Sequence, residues 1–325
     1  MKAKFLIISA VFLMIVLSAS SCSPTTPSPI DRYSKITGVK VTPVEDHWLP
    51  VIAEGWSQPE PLPSPVNTAG GEDRPFILPD GQTLYFFFTP DVNIPVEKQI
   101  SDGLTGIWFT NQTSSGWSEP ERVWLERPST PALDGCEFVL GNVMWFCSIR
   151  AGNYRQIDFY TAQMVDGFWT NWHNLGKPIN GDYQVGEMTI TSDGLDLYFA
   201  SNRPGGFGGY DLWVSHKTNE GWGETENLGA TVNSENDENR PFVTVDGQEL
   251  WFDGPGISGH VGPAVFRSQK QPDGTWGIAQ EIVSTFAGEP ALSGDGQILY
   301  FVHAYYPQDL SQMLEADIYV SLRLP

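Results

Sequence analysis

The chain has 325 residues, with 39 acidic and 18 basic side chains, a formal charge of −21 and a pI near 4.4. That balance excludes a basic face for nucleic acid or anionic lipid, and it suits a soluble, exported protein that binds cations or neutral sugars. Glycine (33) and proline (25) are frequent enough to require many turns, and no stretch after the N-terminal segment keeps a helical pattern over a useful length.

The N-terminus reads as a targeting segment. Lys2 and Lys4 precede an apolar run, Phe5 to Leu17, that is too short for an ordinary membrane span. It runs into Ala19-Ser20-Ser21-Cys22, small residues before a cysteine, as at a bacterial lipoprotein cleavage site. On that reading residues 1–21 are removed and lipidated Cys22 anchors the protein in the cell envelope. The alternative is a plain secretory signal cut near Ser20. Residues 22–35 are rich in Ser, Thr and Pro and are expected to form a tether. Residues 36–325 are long enough for one large all-β domain.

That domain repeats. A tryptophan preceded by glycine, or by glycine and one more residue, recurs at Trp56, Trp117, Trp169, Trp222 and Trp276, at intervals of 61, 52, 53 and 54 residues. A period near 50 in a β-rich chain points to a propeller. In the clearest unit, Glu187 to Trp222, a strand holding Met188 and Ile190 meets an Asp193-Gly194 turn. Leu197-Tyr198-Phe199 and Asp211-Leu212-Trp213-Val214 supply the next two strands. The second-strand signature returns as Leu84-Tyr85-Phe86, Met144-Trp145-Phe146, Leu250-Trp251-Phe252 and Leu299-Tyr300-Phe301. The Asp-Gly turn returns at Asp80, Asp246 and Asp295, with Gly141-Asn142 in a shortened second hairpin. The expected fold is a five-bladed β-propeller of four-stranded antiparallel blades. No tryptophan follows the fifth unit, so its outer strand must come from ahead of the first, and Ile36 to Val44 is the expected donor.

The pattern DGxxLYFxSxRxGGxGxxDLWVS, followed by Gly-Trp and a later Leu-Gly-x-x-Ile/Val-Asn, resembles the TolB-like, WD-type β-propeller repeat of bacterial envelope proteins. The resemblance covers roughly residues 56 to 322 and is strongest in the third unit. It implies an interaction platform near the envelope. The peptidoglycan-binding module often joined to such repeats is absent from this sequence.

Propeller function sits where the inner strands converge. The residues six before each turn aspartate, or equivalent, are Arg74, Cys136, Glu187, Arg240 and Glu289, and Glu137 follows Cys136. Alternating arginine and glutamate form either a self-satisfied ion-pair ring or a polar pocket for a protein or glycan, in which arginine forks bind carboxylates and hydroxyls. Five-bladed propellers also host glycosidases, which makes Glu187 and Glu289 weak candidates for acid and base. Against that, neighbouring arginines lower carboxylate pKa values.

Cys136 and Cys147 flank the Gly141-Asn142 turn in a register that sets them opposite each other, as either a disulfide or two buried thiols. Asp158, Asp211 and Asp317 open third strands, where they cap loop amides or pair with Arg150 and Arg203; a calcium site with loop carbonyls is the weaker alternative. The five histidines occur singly and no zinc spacing exists. Trp48, Trp124 and Trp172 fall outside the repeat position and are expected to be exposed. The reading is a monomeric, non-catalytic binding or scaffolding module for an envelope protein or glycan, or else a carbohydrate-active enzyme or lectin.

Overall fold

A computed structural model describes residues 30–126 and 130–325. The signal segment, Cys22 and the first part of the expected tether lie outside them. The described chain is all-β apart from two single helical turns, Arg32–Lys35 and Val96–Gln99.

The strands pair antiparallel with their sequence neighbours. Two separate four-stranded sheets run Leu133–Leu140, Val143–Ile149, Asp158–Val165, Phe168–Asn174, and then Val185–Ile190, Asp196–Ser201, Asp211–Thr218, Gly221–Asn227. A further sheet orders Asn239–Val243, Glu249–Pro255, Pro263–Gln269 and Gln280–Ser284, and Val51–Ile52 adds its edge. Of the remaining strands, Gly71–Ile77, Thr83–Thr89 and Gly106–Thr113 form one group, edged by Gly116–Trp117 and Glu121–Arg122, and Ala287–Leu292, Ile298–Tyr305 and Glu315–Leu322 form another. These two groups meet through one parallel pair, Ala316 with Gly71.

The first strands of successive groups neighbour one another in a closed cycle. Gly71–Ile77 lies beside Leu133–Leu140, which leads to Val185–Ile190, Asn239–Val243, Ala287–Leu292 and back to Gly71–Ile77. This is a radial, propeller-like arrangement in which each sheet is covered on both faces. Hence all of Leu84-Tyr85-Phe86, Leu197-Tyr198-Phe199 and Leu250-Trp251-Phe252 are buried, rather than every second residue.

The Leu-Gly-x-x-Ile/Val-Asn element has a specific job. Asn180 accepts the Phe159 N–H at 2.9 Å and donates to its carbonyl at 2.8 Å. Asn233 does the same at Leu212, and Asn67, which ends a variant with Pro63 in place of the glycine, clasps Ile318. Each buried amide therefore pins the loop leaving one sheet to the third strand behind it, satisfying both groups of one backbone residue.

Three expectations are corrected. Ile36 to Val44 is no strand, and Val39 and Val44 are exposed. The last sheet takes its outer strand from Glu60–Pro61, which pairs with Tyr319 and Val320, and Trp56 bridges Arg323. The reason is that Gly55-Trp56 is itself the closing Gly-Trp of the last unit, displaced to the front of the chain. Second, residues 30–35 are docked rather than free. Arg32 is buried, lies over Phe88 at 4.9 Å and donates to the carbonyls of Pro65 and Val66. Downstream, Lys40 pairs with Glu315 and Asp317, and Asp46 with His303 at 2.9 Å.

Third, Cys147 stands opposite Gly135, not Cys136. A bulge between Gly135 and Phe138 shifts the register, and from it Cys136 forms a disulfide with Cys147 at a Cα separation of 5.3 Å.

Candidate functional site

Every first strand is bulged near its start, with shifts at Asp73/Phe76, Gly135/Phe138, Val185/Met188, Asn239/Phe242 and Gly288/Ala291. The bulges turn the predicted residues inward. Arg74, Cys136, Arg240 and Glu289 adopt left-handed backbone, with φ of 51°, 55°, 54° and 56°. Arg74, Arg240 and Glu289 also precede prolines, a setting that disfavours that conformation. Strain of roughly 1–3 kcal/mol per residue is characteristic of sites whose geometry serves a purpose beyond packing.

Four of the predicted residues meet at the axis. Glu187 holds both arginines: Oε2 lies 3.1 Å from Arg74 Nε and Oε1 lies 3.1 Å from Arg240 Nε. Arg240 Nε is also 2.9 Å from Glu289 Oε1. The Arg74 backbone N–H donates to Glu289 Oε2, and Arg74 Nη2 donates to the Met188 carbonyl at 2.6 Å. Sequence reasoning missed a further member. Asp253 Oδ2 accepts from Arg240 Nη1 and from the Glu289 N–H, both at 3.1 Å. A Cβ on Gly288 would come within 2.6 Å of that oxygen, so glycine is what lets Asp253 lie against the backbone. The signal for Asp253 is the residue after each second-strand signature: Phe87, Cys147, Ala200, Asp253 and Val302, only one of them charged.

Two more carboxyls complete the set. Asp73, half-buried, lines the mouth, and its carboxyl makes no hydrogen bond or ion pair with any described residue. Glu137 is fully buried, and neither of its carboxylate oxygens meets a hydrogen-bond partner on another described residue. Burial pushes the Glu137 carboxyl up to about 8, against the pull of Arg74 and reinforced by Glu187 and Glu289. Burial raises Glu289 to about 7 although Arg240 opposes it. Asp73 is raised well above the usual range by burial and by Glu289 and Glu187.

Asp73, Arg74, Glu187, Arg240 and Glu289 line a cavity of about 200 Å³, with Phe87 and the disulfide in its wall. An adjoining cavity of about 380 Å³ shares Asp73, Phe87, Arg240 and Glu289 and adds Asp253. Deeper along the axis, Phe76, Phe138 and Phe242 leave about 30 Å³, and the first two rings are 4.5 Å apart. Aromatic rings from the same first strands thus narrow the axis beyond the charged groups. A larger groove of about 610 Å³ lies at the hairpin end, but of its carboxylates Glu249 is paired with Arg267 and Arg323, while Asp246 and Asp295 hold their own turns.

The other candidates are structural. Asp158 accepts the Tyr154 N–H, and Asp211 accepts those of Phe207 and Gly208. Neither meets the expected arginine: Arg150 pairs with Asp134, while Arg203 lies over Phe199 at 4.6 Å and donates to Thr225. Asp317 is taken by Lys40. Trp48, Trp124 and Trp172 are half-buried rather than exposed. Trp48 donates to the Pro307 carbonyl, Arg122 covers Trp124, and Trp172 lies near Arg150 and donates to the Trp169 carbonyl.

No family model matches the chain, and no curated protein does. Among solved structures it is similar to TolB from Acinetobacter baumannii, at 14% identity and a TM-score of 0.45, over 78% of this chain and 54% of that one. It is also similar to an alpha-L-arabinofuranosidase from Lactobacillus brevis, at 11% identity and 0.49, over 80% and 92%. A third is GH43B from Bacteroides ovatus, at 13% and 0.49, over 80% and 54%. The chain thus spans about half the length of the TolB structure. Function is read below from the site alone.

Proposed function

We propose that this chain is a five-bladed β-propeller of the bacterial cell envelope, anchored through lipidated Cys22, that acts by binding an envelope protein or glycan at its axial mouth without catalysing a reaction. The closed cycle of five first strands supports the blade count.

One observation supports binding over hydrolysis. Glu187 and Glu289 both contact Arg240 Nε, at 3.1 and 2.9 Å. Their oxygens are thus no more than about 6 Å apart, short of the ~6.5–9.5 Å gap an inverting glycosidase needs for its water. The guanidinium also occupies the space between them, where a retaining enzyme would have to seat a sugar. A single feature favours the second reading: Glu289, raised to about 7, has the proton affinity of a general acid.

The test is a panel of aryl glycosides and envelope polysaccharides incubated with the purified mature protein and with Glu187→Gln and Glu289→Gln. The expected result is no product from any of the three. Sugar release by the wild type that disappears in either variant overturns the binding reading.

A further inference from the structure

We infer that Asp46 and His303 form a proton-dependent latch. While the pair holds its proton, residues 36–50 stay fastened across the last sheet and fix Phe286 in the wall of the axial mouth; loss of the proton frees both. The device is independent of what the mouth binds.

The hydrogen bonds of the imidazole set the proton count. His303 Nε2 lies 2.9 Å from Asp46 Oδ2, and Nδ1 lies 3.2 Å from the Thr285 carbonyl oxygen. A carbonyl only accepts, so Nδ1 carries a hydrogen, and Nε2 is left facing a carboxylate oxygen. The pair is bonded only when one further proton sits between Nε2 and Oδ2. Both side chains are fully buried, so solvent cannot make up for its loss. Without it a lone pair faces a charged oxygen in a dry site.

The fastened segment runs between two fixed ends. Arg32 is buried against Phe88, and Val51–Ile52 pairs with Ser284 and Val283. Between them Lys40 Nζ meets Glu315 and Asp317, each at 2.5 Å, and the Val41 N–H donates to Glu315 at 3.1 Å. Asp46 Oδ1 accepts the Trp48 N–H at 2.8 Å, so the carboxyl that faces His303 also sets Trp48. The Trp48 indole packs edge-on to Phe286, with ring centroids 6.3 Å apart.

Phe286 is part of a strained link. Gln280–Ser284 passes to Ala287–Leu292 through Thr285 and Phe286 alone, both left-handed, with φ of 72° and 51°. That backbone is an outlier for a β-branched threonine. Asn180 and Asn233 clasp longer connections, and this link has no asparagine to do so. Instead His303 holds the Thr285 carbonyl, while Trp48 and Tyr306 flank the Phe286 ring, Tyr306 at 4.4 Å. The ring lines the cavity of about 380 Å³ beside Asp73, Arg240 and Glu289. Strain held by a few contacts is what a switch can release.

The other groups around the imidazole do not loosen the segment as pH rises. Asp317 stands opposite His303 on the last strand, where its charge favours an imidazolium. Burial raises the Glu315 carboxyl to about 7, and its ionisation strengthens the Lys40 contact. Against burial, Asp317 and Glu315 raise the Lys40 ammonium, which stays charged. The Tyr305 and Tyr319 rings lie 5.0 and 5.3 Å from the imidazole, and burial raises both phenols, which stay neutral. Loosening on the alkaline side thus belongs to the Asp46–His303 proton.

The experiment is amide hydrogen exchange of the purified protein at pH 6 and pH 9, corrected for the intrinsic exchange rate and read in peptides covering 36–50 and 284–288. In the wild type, protection of both stretches should fall together by on the order of tenfold. Asp46→Asn removes the need for the proton, because its carboxamide N–H donates to Nε2 of a neutral imidazole while Oδ1 still accepts from Trp48. Its protection should be the same at both pH values. His303→Ala should leave both stretches open already at pH 6; where that variant does not fold, Asp46→Asn decides alone. Unchanged wild-type protection, or an Asp46→Asn profile that falls like the wild type, overturns the latch. Loss of protection in 36–50 without loss in 284–288 overturns the link to the mouth.

Discussion

Arg240 and Glu289 hold each other at 2.9 Å from matching positions on neighbouring strands, each in left-handed backbone immediately ahead of a proline. The bulges that impose this backbone aim both side chains at the axis. Arg240 is also the hub of the mouth, since it contacts Glu187, Asp253 and Glu289 at once, and it is held more firmly charged than usual by Asp253 first and the other acids after it.

Replacing Arg240 with alanine leaves three clustered carboxyls with one fewer cation. Loss of one partner from a fully buried pair costs ~3–5 kcal/mol. Arg240 is 38% exposed, so the expected cost is nearer ~2–3 kcal/mol. Arg240→Lys should recover little, because a point charge cannot reach three acceptors set around a planar fork. Urea unfolding of both variants at pH 7 checks this; wild-type stability in Arg240→Ala refutes it.

The pH profile follows from the raised carboxyls. An acid whose pKa is higher in the folded state holds its proton there while the unfolded chain has lost it. Its stabilising contribution is therefore full below the ordinary carboxylate range and declines as pH rises to the folded value. Glu137 at about 8, with Glu72, Glu289 and Glu315 at about 7, all act in this sense. The melting temperature should fall from pH 5 to pH 8.5. Glu137→Gln should flatten that slope and melt higher than wild type at pH 8.5. A Glu137→Gln profile parallel to the wild type would show that the carboxyl is not buried unpaired.

The hairpins were legible in the sequence because their determinants are local. Asp80, Asp193, Asp246 and Asp295 each accept the N–H two residues on, and each sits at the predicted turn. The aligned residues Arg74, Glu187, Arg240 and Glu289 were found because the repeat carries the alignment with it. Asp253 escapes the alignment because its importance depends on what the bulge in the facing first strand, between Asn239 and Phe242, brings beside it. Ring closure was misplaced because Gly55-Trp56 pairs with Arg323 across almost the whole chain, and adjacency in sequence says nothing about that.

Closure gives a sharp contrast between two tryptophans. Trp56 is 6% exposed, packs edge-on against Trp251 at 5.7 Å and lies under Arg323 at 4.9 Å. Trp56→Ala should cost ~3–5 kcal/mol, as for a large side chain removed from a core. Trp48 is only half-buried, so Trp48→Ala should cost clearly less. Equal losses in thermal unfolding would mean that residues before Trp56 share in closing the ring.

The disulfide supplies the last test. Cys136 and Cys147 are 11 residues apart and bridge the two strands of the shortened hairpin, in the wall of the mouth. Closing a loop of that size removes roughly 3 kcal/mol of freedom from the unfolded chain in the entropy model. In a chain of this size such a loss lowers the melting temperature by several degrees. Cys136→Ser with Cys147→Ser should therefore melt lower than wild type, and reductant should lower the wild type but not the double variant. An unchanged melting temperature in the double variant would refute a stabilising role for the bond.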